Sequence, residues 1–266
     1  MAESTLARTL QNLEAEVGSY LGWGRGEKYD QSEWTDEQQL EIDSILKSGL
    51  ANFYFPVPGP GQQIYEWTFL RPWADLTLVA DTQTVDLPDD FLSLDGLIYI
   101  SSSDTSYCPL RQRGDVRGLY AASPTASGTP EFVAVEPVRG TGHAEGQRWQ
   151  LRLWPQPDSA LTVRLRYNLI PEALTTLRPH VYGGAAHSET VLESCLAVAE
   201  LRKDDLGRGP HAQAFRERLA ASIATDRKNR PQWAGYNGDY SDGRRDSRWR
   251  DPNLFRNPVT FDGVQY

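Results

Sequence analysis

Residues 148–168 constrain what this 266-residue chain can fold into. They read Arg148-Trp-Gln-Leu-Arg-Leu-Trp-Pro155, a turn at Pro157 and Asp158, then Leu161-Thr-Val-Arg-Leu-Arg-Tyr-Asn168. Trp149, Leu151 and Leu153 alternate with Gln150 and Arg152. Leu161, Val163, Leu165 and Tyr167 alternate with Thr162, Arg164 and Arg166. Successive side chains of a strand point to opposite faces, so one set turns inward and the other meets water. Pro155 and Pro157 cannot donate to a central ladder but suit a connecting turn. The stretch predicts an antiparallel hairpin with one buried face.

Helical periodicity flanks it on both sides. Leu6, Leu10, Leu13, Val17 and Leu21 form one apolar stripe, with Ser4 as the expected N-cap and Gly22, Gly24 and Gly26 as the stop. No strand precedes those glycines and no Lys-Ser/Thr follows, so they do not form a phosphate loop. Thr35-Asp-Glu-Gln38 is a capping box that opens a second helix, whose stripe is Ile42, Ile45, Leu46, Leu50 and Phe53. Pro56, Pro58, Pro60 and Gly61 end it and mark a linker. After residue 184, Val191, Leu192, Cys195, Leu196 and Ala199 line a third helix with Gly207 as its expected C-cap. Pro210 fits the first position of a fourth helix, with Ala212, Phe215, Leu219 and Ile223 as its stripe.

Between these helices the pattern changes to short strands, expected at 64–69, 76–80, 83–87, 96–101 and 130–136, with a short helix over 111–122 and a flexible tip over 139–146. The reading is therefore α+β: a four-helix framework carrying an inserted antiparallel β-sandwich or barrel-like domain. The boundaries fall at 1–61 and 170–228 for the two halves of the helical bundle and 62–169 for the β-rich insertion. Residues 229–266 form an extended C-terminal docking arm.

That arm has no apolar period, yet it carries Trp233, Tyr236, Tyr240, Trp249 and Phe255, interleaved with Arg244, Arg245 and Arg248. A free tail is usually poor in aromatic residues, whereas aromatic and Arg side chains anchor interfaces. These eight residues are the candidate contact site for a partner or a neighbouring subunit.

Formal net charge is -9, which argues against a protein that grips nucleic acid through its phosphates, but not against one that DNA merely slides past. No apolar run approaches the roughly 20 residues of a membrane helix, and residues 1–10 lack an apolar signal core, so secretion is not expected. The two cysteines, Cys108 and Cys195, are expected as reduced thiols. None of His143, His180, His187 and His211 stands in a metal-ligand spacing. No Gly-x-Ser-x-Gly is present, and Asp89 and Asp90 read as turn residues instead of a catalytic pair. No catalytic residue, metal site or cofactor is expected. The alternatives are a hydrolytic enzyme with a β-rich substrate domain, or a carbohydrate- or receptor-binding tail module using exposed aromatic rings.

Several stretches in order carry a resemblance: Tyr65-Glu-Trp-Thr-Phe-Leu-Arg-Pro72, Leu87-Pro-Asp-Asp-Phe91, Gly128-Thr-Pro-Glu131, Leu151-Arg-Leu-Trp-Pro155, Leu165-Arg-Tyr-Asn168 and His187-Ser-Glu-Thr190. From about Leu6 to Arg227 the chain resembles the head-to-tail adaptors of tailed bacteriophages, also called connectors or tail tubular proteins of the gatekeeper type. The resemblance implies a structural virion protein of the neck, assembled in the host cytoplasm. It also implies a homo-oligomeric ring, usually twelve-fold, beneath the portal protein and next to a tail or nozzle protein. Genomic DNA would pass through its channel without sequence-specific binding. The arm after Asn229 departs from the family pattern.

Overall fold

The computed structural model describes residues 3–24, 34–57, 64–96, 98–100, 107–138 and 146–228, and the backbone of 260–261 and 264–265. The chain divides into two compact units, Met1–Arg230 and Pro231–Tyr266.

The first unit is α+β. Helix α1 (Leu10–Leu21) begins after Thr9, whose hydroxyl accepts from the Asn12 amide, and stops at Gly22 in the left-handed conformation, φ 88°. Glycine takes that geometry without the steric penalty of a Cβ. The expected start was one turn too early. Leu6 is 81% exposed, and the Ser4 carbonyl and hydroxyl close a separate turn onto Ala7 and Leu6. What fixes the start of α1 is remote in sequence: the Leu10 amide donates to the Pro179 carbonyl at 2.8 Å.

Helix α2 (Asp36–Tyr54) opens with the full capping box of Thr35 and Gln38, and Ile42, Ile45, Leu46, Leu50 and Phe53 are all buried, as read. Helix α4 (Ala185–Asp204) buries Val191, Leu192, Cys195, Leu196 and Ala199, again as read. Its C-cap is Asp205, in the left-handed conformation at φ 54°, so the expected Gly207 lies beyond the stop. Helix α5 (Pro210–Lys228) starts at Pro210, but its expected stripe is only half-buried; the fully buried side chains are Ser222 and Asp226. Helices α1, α2 and α5 each pack on α4. Together with α3 (Arg113–Ala122), the described residues hold five helices.

The strands are β1 (Trp73–Leu78), β2 (Thr84–Asp86), β3 (Phe91–Leu94), β4 (Ile98–Ile100), β5 (Tyr107–Cys108), β6 (Phe132–Val138), β7 (Arg148–Trp154) and β8 (Leu161–Leu169). One antiparallel sheet runs β1-β8-β4-β5, with β3 also paired to β8; the other runs β2-β7-β6. The barrel-like alternative is overturned, because the terminal strands β2 and β5 have only three and two residues and cannot extend both ladders into closure. A parallel bridge between Leu110, just after β5, and Val133 of β6 links the two sheets.

The expected hairpin over 148–168 is also corrected. Both halves are strands and both bury the faces read from their alternation: Leu151 and Leu153 in β7, Val163, Leu165 and Tyr167 in β8. They do not pair with each other. β7 lies between β2 and β6, with Phe132 opposite Trp154 and Val138 opposite Arg148, whereas β8 lies between β1 and β4. The linker carries the chain from one sheet to the other. Its carbonyls bond elsewhere, with Gln156 accepting from Gly128 and Pro157 from Asp81. The strand expected over 64–69 is a further correction, since the chain there is extended and then forms a 3-10 turn, Thr68–Leu70. The hairpin tip expected over 139–146 lies outside the described residues apart from Gly146.

In the second unit the described backbone is a short antiparallel pair, β9 (Thr260–Phe261) and β10 (Val264–Gln265). The sequence reading assigned no strand there. The Asp262-Gly263 dipeptide between the two is a strong hairpin signal that it passed over.

Candidate interaction site

The eight candidate contact residues, Trp233, Tyr236, Tyr240, Arg244, Arg245, Arg248, Trp249 and Phe255, lie outside the described residues. The first unit, by itself, holds a node where the Tyr65–Pro72 and His187–Thr190 stretches meet.

The node begins at Trp67. Its indole is buried, and Nε1 donates to the carbonyls of Phe53 and Tyr54, each at 3.2 Å. These are among the last carbonyls of α2, which have no partner inside the helix. The Trp67 ring packs on Phe53 at 4.7 Å, Phe69 at 5.1 Å and His187 at 5.5 Å between centroids. His187, in the first turn of α4, is buried among these rings, and that burial pushes its pKa down. An imidazole held neutral in an aromatic cluster acts as a packing element.

Asp226 closes the node from α5. It is 1% exposed, yet its carboxylate accepts from the Tyr65 hydroxyl at 2.7 Å, from the Thr68 amide at 3.1 Å and from the Thr68 hydroxyl. A buried carboxylate is tolerated when donors surround it in this way. The Tyr65–Pro72 motif therefore ties the end of α2 and the last turns of α5 to the entry of β1. Sequence reasoning missed Asp226 as a structural residue. A lone Asp in the basic last turn of α5, which also holds Arg227 and Lys228, was the available signal.

The Leu87–Phe91 motif does parallel work at the sheet. Asp90 accepts from the Tyr167 hydroxyl at 2.9 Å, and its carbonyl accepts from the Ile170 amide at 2.7 Å. Phe91 stacks on Tyr167 at 5.8 Å. Asp89 instead pairs with Arg148 at 3.1 Å, so the two adjacent carboxylates diverge, as their turn reading expected. Beyond Asp90 lie two adjoining surface clefts that share Glu172 and Ala173. One of about 400 Å3 also takes in Arg178, His180 and Tyr182; one of about 210 Å3 takes in Lys47, Leu50, Tyr54 and Phe55.

The described side chains form few arrangements suited to bond-making chemistry. Burial pushes the Cys108 and Cys195 thiols up to about 12, far from thiolate reactivity. His211 Nδ1 lies 3.0 Å from the Glu193 carboxylate at the α4–α5 contact. Among the described residues no group of three or more His, Cys, Asp or Glu is placed to hold a metal ion.

A family model described as SU10 adaptor protein matches residues 8–238. The match spans both sheets and all five helices, including the node. The chain belongs to this family of bacteriophage head-to-tail adaptors, structural components of the virion neck that meet portal and tail proteins. Within the arm, Trp233 and Tyr236 fall inside the matched region; Tyr240, Arg244, Arg245, Arg248, Trp249 and Phe255 fall beyond it. A comparison with curated proteins finds no match.

Proposed function

We propose that the chain assembles into a ring beneath the portal, twelve-fold by analogy with related connectors, and continues the DNA channel toward the tail during retention and ejection of the genome. In this reading the helices of 1–61 and 170–228 build the ring and face the portal. The β-rich region 62–169 faces outward or meets the next tail protein. The family match over 8–238 carries the reading. The net charge of -9 supports it, because an acidic wall does not hold a polyanion in transit. No side chain acts catalytically, and replacing His143, His180, His187 or His211 singly by Ala leaves infectivity nearly intact wherever the fold survives.

The arm 229–266 is proposed to anchor the chain to the portal and to neighbouring copies. Trp249 and Phe255 supply buried area; the Arg residues, each with an Asp nearby in sequence, supply directed contacts. Truncation after Lys228 tests this. The shortened chain is expected to keep its melting temperature and to lose co-purification with portal rings. Full decoration of portals by the truncated chain, seen by electron microscopy, would refute the anchoring role. A Trp249→Ala, Phe255→Ala double variant should reproduce much of the loss, whereas a purely salt-sensitive interaction would point to the charges.

A further inference from the structure

β1 stands at the end of its sheet, with β8 on one side only. The Tyr167 amide donates to the Pro72 carbonyl, and Ala74, Leu76 and Leu78 lie opposite Leu165, Val163 and Leu161. Backbone groups alternate sides along an antiparallel strand, so these even-numbered residues bond β8. The N–H and C=O groups of Trp73, Asp75 and Thr77 point the other way. Among the described residues they have no backbone partner, and all three residues are exposed. Proteins usually guard such an edge with Pro, Lys, a bulge or a covering segment. β6 shows the device. By the same alternation Val133, Val135 and Pro137 face its outer edge; Val133 bonds Pro109 and Arg111, and Pro137 brings no N–H. β2 and β5 are too short to offer much edge, with three and two residues. β1 has six residues, with no Pro and no Lys among them. Its one charge, Asp75, is neutralised by Arg164 of β8 at 2.7 Å.

The second compact unit has the opposite shortage. β9 and β10 have two residues each. An isolated two-stranded hairpin is marginal in water unless a further strand or a helix supports it. The sequence around them runs Val259-Thr-Phe261 and Val264-Gln-Tyr266, residue types that suit a strand. A strand added beside β1 would find Ala74 and Leu76 only half-buried at the margin of the core. The chain from Lys228 to Thr260 can span up to about 100 Å when extended, enough to reach a second copy.

We propose that the β9–β10 hairpin of one copy adds to the free edge of β1 in the next copy. This rests on the reading of the arm as an anchor between copies, and it names where the end of the arm is held. Main-chain bonds to Trp73, Asp75 and Thr77 supply the contact, as in other cases of strand addition. The contact joins two different surfaces of one subunit, so it is heterologous, and its repetition suits a ring.

The test separates backbone from side chain. Thr77→Pro removes an edge N–H while leaving the β1–β8 bonds in place; Thr77→Ala keeps that N–H. Truncation after Pro258 removes the hairpin but retains all eight candidate contact residues of the arm. Thr77→Pro and the truncation are each expected to raise the concentration for half-assembly on portal rings at least about tenfold, read by sedimentation and electron microscopy. Thr77→Ala should assemble as the wild type does. Hydrogen exchange follows the edge directly and decides alone if Thr77→Pro fails to fold. The amides of Trp73, Asp75 and Thr77 should exchange freely in the dilute full chain and become protected on assembled rings. In the truncated chain, assembled at higher concentration, they should stay unprotected.

Wild-type assembly by folded Thr77→Pro would overturn the proposal. So would protection of these amides on rings of the truncated chain, which would assign the edge to a portal or tail protein strand. Hairpin-dependent protection in the dilute monomer would overturn it too, by placing the hairpin on its own copy. Normal assembly after truncation at Pro258, with assembly lost after truncation at Lys228, would leave the anchoring reading standing and sink this one. Full assembly after truncation at Lys228 would refute both.

Discussion

The Ser194 hydroxyl donates to the Gly49 carbonyl at 2.7 Å, where α4 crosses α2. The contact is close because Gly49 has no side chain. A Cβ built there would lie 2.6 Å from Cys195 Sγ and 2.7 Å from Cys195 Cα. The second distance is to backbone, so no rotamer change relieves it. Gly49→Ala should force the helices apart and destabilise the chain by about 2 kcal/mol, despite the higher helix propensity of Ala. Ser194→Ala removes one hydrogen bond and should lose about 1 kcal/mol. Urea melts of the two variants check the order; a stabilised Gly49→Ala chain would mean that the crossing is looser than described.

Asp226 should matter more than its place near a helix end suggests. Asp226→Ala removes the carboxylate that accepts from the Tyr65 hydroxyl and from two donors of Thr68, and should destabilise by about 3 kcal/mol. Asp226→Asn retains one acceptor oxygen but turns an NH2 toward donors, so its loss should fall between the alanine variant and the wild type. Hydrogen exchange gives the local readout. The Thr68 amide should lose protection in both variants. Unchanged protection with Asp226→Ala would remove Asp226 from the node.

The faces of β8 are testable at neighbouring positions. Leu165 is buried in the core, while Arg164 is exposed and holds Asp75 through Nε at 2.7 Å. Leu165→Asp buries an unpaired carboxylate and should destabilise by about 4 kcal/mol. Arg164→Asp should leave the melting temperature nearly unchanged, because an exposed pair contributes little. Thermal melts in the opposite order would swap the faces.

Those faces were legible because period-two alternation reports burial directly. Pairing was not legible, because alternation does not say which edge of a strand meets which neighbour. The six residues between β7 and β8 contain two prolines and no two-residue turn, and β7 pairs over its full length with β6. The helices of α2 and α4 read well, because capping boxes and apolar stripes are local. Where long-range contacts decide, reading failed: the aromatic alternation of Tyr65, Trp67 and Phe69 resembles a strand. The Trp67 bonds to α2 and the Asp226 bonds to Thr68 hold it otherwise. The candidate arm was legible only as composition, since its aromatic residues follow no period from which a face could be derived.

Glu136 supplies the pH test. Its carboxylate sits in β6, buried, and accepts from Arg117 Nε at 2.9 Å and Arg152 Nε at 3.0 Å. Burial alone would raise its pKa, but the two guanidinium groups outweigh that and hold it below the ordinary value of 4.5. A carboxyl whose pKa is lowered by folding adds stability that is fully present above its unfolded value and fades as pH falls through the folded one. Stability owed to Glu136 should thus hold at neutral pH and drain away below about pH 4.5. Glu136→Gln leaves the Arg152 charge half-buried against a neutral partner, and should destabilise by about 3 kcal/mol near pH 7. The variant should also lose less than the wild type on acidification, so the two stability curves converge as the pH falls below the ordinary carboxylate value of 4.5. Melts across that range decide it: parallel curves would show that the Glu136 proton is not coupled to folding.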